Sequence, residues 1–158
     1  MKETADYLRD VLAQVEPLLR NLDDTTSSLK SGPQKWSPKQ VIGHLIDSAN
    51  NNQMKFTKLI SHNNINVVGY QQDEWVAAQN YQAYDWQTLL NLWRSLNLHI
   101  VHIIEHTPND ALNHEISVNG IGPFKLDFIM NDYVEHLKHH INQALPSANL
   151  GHNFKKIY

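Results

Sequence analysis

Four stretches of this chain repeat apolar residues every three or four positions, a spacing that makes helices with one apolar side. Leu8, Val11, Leu12, Val15, Leu18, Leu19 and Leu22 predict a helix over about residues 3–22, which Pro17 should kink or split. Ser37-Pro38-Lys39-Gln40 opens a second. A capping hydroxyl, proline at the first helical position and glutamine three residues after the cap together mark a helix start. Val41, Ile42, Leu45, Ile46, Ala49, Phe56, Leu59 and Ile60 carry its apolar side. Asp85 caps a third helix reaching about Glu105, with Leu89, Leu92, Trp93, Leu96, Ile100 and Ile103 in its stripe. The last runs from about Lys125 to Leu145 through Leu126, Ile129, Tyr133, Leu137 and Ile141, and Pro146 closes it. Each stripe needs a partner to cover it. The expected fold is therefore an all-α four-helix bundle, one domain over residues 1–158.

The links are long. Asp23–Ser31 with Gly32-Pro33 reads as a connection, as does Ser61 to Gly69. A short helix is expected from Asp73 to about Asn80. Residues 113–123, with Ile116, Val118, Asn119-Gly120 and Gly122-Pro123, read as a loop or a small hairpin. Links of this length permit bundles other than simple up-down-up-down.

Composition narrows the functional classes. With 158 residues and 41% hydrophobic content the chain can bury a sizeable core. It has no cysteine, which removes disulfides, thiolate zinc sites and cysteine nucleophiles together and fits a cytoplasmic protein. The mixed-charge start Met1-Lys2-Glu3-Thr4-Ala5-Asp6 has no signal core, and no apolar run approaches a membrane span. A net charge of −3 without a Lys/Arg block argues against nucleic acid as a partner.

The ten histidines are the unusual feature. His136 and His140 are one helical turn apart in the stripe of Ile129 and Tyr133, so they should point inward as a pair able to chelate a divalent ion. His139 faces elsewhere. On the second helix His44 shares a side with Ser48 and Asn51, a polar line beside an apolar stripe. His99, His102 and His106 form a rival series, but they flank the stripe of their helix near Arg94 and Ser95 and read as surface residues. His62, His114 and His152 fall in loops or the tail. Trp36, Trp75, Trp86, Trp93, Tyr70, Tyr81, Tyr84 and Tyr133 are candidates for core or pocket. Tyr70-Gln71-Gln72-Asp73-Glu74-Trp75 clusters aromatic and polar groups on a connection, where binding residues often lie.

Three segments in order, Trp36-Ser37 leading into Val41–Ser48, Tyr70–Trp75, and Asp132–His140, with the Thr107-Pro108 to Leu112 turn between the last two, resemble the DinB-like superfamily. The likeness is strongest to its YfiT-like branch of metal-dependent hydrolases and thiol transferases. It spans about residues 36–145. It implies a four-helix bundle whose metal is held by His44, His136 and His140. His99, His102 and His106 lie outside the pattern. Gln71 departs from it, because an acidic residue often follows the tyrosine in that branch.

The resemblance implies a metal-dependent hydrolase or thiol S-transferase acting on a small electrophile or a thiol adduct, and a homodimer. Three neutral imidazoles leave an ion its full charge and an open position, as catalytic sites do. Zinc or nickel suits imidazole, and either can acidify a water or a substrate thiol. With no protein cysteine, the thiol must come from a low-molecular-weight partner. Asn51, Tyr70, Gln71 and Trp75 are expected around the pocket, and Asp47, Asp73 or Glu135 as carboxylates supporting the ligands. The competing reading is a non-catalytic, stress-related bundle that binds metal or a small ligand.

Overall fold

The computed structural model describes residues 1–157. Its long helices are α1 (Lys2–Arg20), α3 (Pro38–Ser61), α5 (Trp86–Glu105) and α6 (Leu126–Ala144), with short α2 (Asp24–Ser28) and α4 (Gln72–Ala78) in the links. The capping box forms as its residues dictate: Gln40 N–H donates to Ser37 Oγ at 3.3 Å, and Ser37 N–H to Gln40 Oε1 at 3.1 Å. Asp85 caps α5 by accepting from Thr88 N–H at 2.8 Å. Pro17 does not split α1. Its missing N–H forfeits one bond, back to Ala13 O, and because it sits in the last turn little helix lies beyond it to be displaced.

The apolar faces meet in one core. α1 packs on α5 and α6, and α3 packs on the same two helices, so α1 and α3 lie diagonally although they are consecutive long helices. The long links make that arrangement possible. Trp86 and Trp93 are fully buried, and the Trp86 indole N–H donates to Leu19 O at 3.1 Å, fastening α5 to α1. Leu18 and Leu92 are exceptions to their stripes, at 38% and 39% exposure. Each lies beside a buried neighbour, Leu19 and Trp93, that takes the core position.

A three-stranded sheet accompanies the bundle. β1 (Asn64–Val67) pairs in parallel with β2 (Glu115–Val118), and β2 pairs antiparallel with β3 (Ile121–Lys125). Asn119 (φ 52°) and Gly120 (φ 79°) make the two-residue turn between β2 and β3; both positive angles suit an Asn-Gly hairpin. Asn119 Oδ1 also accepts from Gly69 N–H at 2.8 Å, tying the hairpin to the link that leads to Tyr70. His114 is drawn in here, its Nδ1 2.5 Å from Leu59 O. Among the described residues no helix is long and apolar enough to cross a membrane.

Candidate metal centre

α3 and α6 are neighbours, and their polar lines face one another across the seam between them. His44 from α3 meets His136 and His140 from α6. Among the described residues these three form the group whose ligand atoms converge, all within 4.8 Å of one another. The ring centroids are 5.3 Å apart for His44–His136, 4.5 Å for His44–His140 and 4.4 Å for His136–His140. His44 and His140 are buried, with 2% and 8% exposure, and His136 is half-buried.

Proton placement shows what the cluster can do. Gln143 Oε1 only accepts, so at 2.9 Å from His140 Nδ1 it places that ring's proton on Nδ1 and leaves Nε2 bare. Ser48 Oγ lies 3.5 Å from His136 Nδ1. His136 Nε2 and His44 Nε2 face each other at 3.3 Å. Zinc–nitrogen bonds of about 2.0–2.1 Å in a tetrahedron separate two ligands by about 3.3–3.4 Å, so the spacing fits a shared ion. His44 Nδ1 is buried without a hydrogen-bond partner among the described residues.

Burial keeps the rings neutral, as ligation requires. It brings His44 down to about 3, with His140 adding to the effect. Burial also brings His140 down to about 4, against the Gln143 hydrogen bond. His136 is held well below the usual imidazole value by burial, then by His140 and His44. Three uncharged imidazoles and no carboxylate among the ligands suit zinc or nickel.

The centre opens into a cavity of about 520 Å³. From α3 it is lined by His44, Ser48, Asn52 and Lys55, from the link by Tyr70 and Gln71, and from α6 by Asp132, His136, His140 and Gln143. Phe154 and Lys156 from the C-terminal segment complete the wall, Phe154 meeting His136 edge-to-face at 5.0 Å between centroids. Burial, and then the charge of Asp47, raises the Tyr70 hydroxyl well above the usual phenol value, so it stays a donor.

Other sequence-derived candidates lie elsewhere. Asn51 does not line the cavity and Asn52 does; both donate one turn back within their helix, to Asp47 O and Ser48 O, at 2.9 Å. Trp75 is exposed and backs the cavity only through its ring contact with Tyr70, 4.6 Å between centroids. Asp47 is buried but accepts from Gln79 at 2.5 Å and Tyr81 at 2.8 Å. Glu135 pairs with Lys138 at 2.8 Å, and Asp73 is exposed on α4. The imidazole partners are Ser48 and Gln143 instead, because these stand one turn or less from His44 and His140 on the same faces. His99, His102 and His106 are exposed. Sequence reasoning missed Asn52, Lys55, Asp132 and Gln143. Their signal was the continuation of each polar line by one to three turns from the histidines.

Residues 7–144 match the DinB superfamily, and the chain belongs to it. Among solved structures it is similar to YfiT from Bacillus subtilis, described as a probable metal-dependent hydrolase with an unusual four-helix bundle topology. The TM-score is 0.81 at 17% identity, over 93% of this chain and 85% of that one. It is also similar to a mycothiol-dependent maleylpyruvate isomerase, with a TM-score of 0.67 at 16% identity over 99% of this chain. The chain spans 63% of the isomerase's length. At these identities the likeness is one of fold. No curated protein matches the sequence.

Proposed function

We propose that this chain is a metal-dependent enzyme that transfers a low-molecular-weight thiol to a small electrophile or hydrolyses a related adduct. The observation that carries the reading is the convergence of His44, His136 and His140 on one point at the floor of a cavity. The metal named for YfiT and the thiol named for the isomerase support it. His44, His136 and His140 would hold the ion, zinc or nickel, through nitrogen; it would supply a Lewis acid that eases loss of a proton from water or thiol.

The protein's own groups then have distinct tasks. Burial and neutrality of the imidazoles leave the charge of the ion unneutralised. Tyr70 presents a protonated hydroxyl, and Gln71 and Asn52 present amides, to orient a polar substrate. Phe154 covers His136 and limits water at that side. The chain has no thiol, so the sulfur nucleophile is a co-substrate.

The test is to strip the purified protein with a chelator, reload zinc or nickel, and assay thiol-dependent consumption of a panel of electrophiles and hydrolysis of thiol adducts. Turnover restored by metal and lost in His44→Ala is expected. Stoichiometric metal binding with no turnover across the panel would overturn the catalytic reading and leave a metal-binding bundle.

A further inference from the structure

We infer that Gln143 is the positioning residue of the centre and that His139 sets which way round its amide sits. The inference rests on the metal reading above. A glutamine amide has two unlike ends, one that only accepts and one that only donates. Gln143 Oε1 lies 2.9 Å from His140 Nδ1, and Gln143 Nε2 lies 2.9 Å from His139 Nε2. The first contact puts the His140 proton on Nδ1, so Nε2 offers its lone pair. The second makes His139 Nε2 an acceptor, so its proton is on Nδ1, the atom 3.4 Å from His152 Nε2.

The orientation has a chemical consequence. A flipped amide would aim its NH2 at His140 Nδ1, and the ring could accept it only by moving its proton to Nε2. That proton would occupy the position a metal needs. His139 resists the flip through its other nitrogen: Nδ1–H directed at His152 Nε2, 3.4 Å away, keeps the proton off Nε2, which then bonds an NH2 and repels a carbonyl oxygen. His139, His140 and Gln143 are spaced i, i+1 and i+4 on α6, so this helix needs a third histidine although the centre takes two. Tautomer control by an outer hydrogen-bond partner typically changes metal affinity 10–100-fold.

The experiment measures Co(II) and Zn(II) affinity calorimetrically on the full chain at pH 7.5, with circular dichroism confirming the fold. Because Gln143 faces solvent, Gln143→Leu is expected to weaken binding by about tenfold, the lower end of that range. Gln143→Glu should bind at least as tightly as wild type, since both its oxygens accept. His139→Ala should weaken binding a few-fold in wild type and leave Gln143→Glu unchanged, a carboxylate having no wrong way round. Wild-type affinity in Gln143→Leu, a loss in Gln143→Glu as large as in Gln143→Leu, or an equal effect of His139→Ala in both backgrounds would each overturn the inference while leaving the metal centre intact. Failure of the wild type to bind either ion would overturn both.

Discussion

Acid should destabilise the metal-free protein before most of its carboxylates titrate, and the centre itself sets the amount. In the unfolded chain each histidine protonates near 6.5; in the fold, His44 does so at about 3 and His140 at about 4. The folded values are depressed, so the unfolded state binds more protons in this window and stability falls as pH falls. The penalty is absent above pH 6.5. It grows by about 1.4 kcal/mol per pH unit for each ring and stops growing below the folded values. Between pH 7 and pH 5 each of these two histidines removes about 2 kcal/mol, and His136 acts in the same direction. A total of roughly 4 kcal/mol or more is a large share of a typical 5–15 kcal/mol domain. Asp47 works the other way, since burial raises its carboxyl, so a variant is needed to isolate the rings. Urea unfolding of chelator-treated wild type and His140→Gln at pH 7 and pH 5 supplies the comparison. The variant should lose about 2 kcal/mol less over that interval than wild type. Equal losses in the two proteins, or no loss in either, would refute the reasoning.

Three further outcomes follow from the same geometry. His136→Ala or His140→Ala should purify without metal and with the helical fold retained, whereas His102→Ala, exposed on α5, should keep it; equal metal content by elemental analysis in all three would overturn the assignment. Zinc or nickel at a hundred times its Kd should stabilise the protein by about 2.7 kcal/mol, and a melting temperature that ignores both ions would contradict a folded-state site. In Gly43→Ala the new Cβ would lie 2.1 Å from Tyr81 Cδ2, so the ring must shift and strain its 2.8 Å bond to buried Asp47. Overpacking costs about 1–3 kcal/mol against about 1 kcal/mol gained in helix propensity, so its Tm should drop; a rise would show that the ring moves freely.

What the sequence revealed and what it hid divide along a physical line. A helix start is written in adjacent residues, so Ser37–Gln40 and Asp85 could be read directly, as could the stripes that close the core. β1 and β2 are each four residues long and pair across some fifty positions of chain. Ile116, Val118 and Asn119-Gly120 offered β2 as half of a small hairpin, but four residues at β1 carry no such turn signal and nothing local marks its pairing with β2. The three converging histidines were legible because one helical turn separates His136 from His140 and an apolar stripe fixes their direction. The support around them was sought among carboxylates, the commonest partners of ligating histidines. Here the nearer groups are a hydroxyl and an amide, while Asp47 and Glu135 are engaged by Tyr81 and Lys138. Asn51 points nearly the same way as His44 on the helix, yet Asn52 is the one that lines the cavity. Both amides bond back one turn, Asn51 to Asp47 O and Asn52 to Ser48 O, each at 2.9 Å, so that bond does not separate them; which of the two lines the cavity is settled by the packing of α6 against α3 rather than by spacing along either helix.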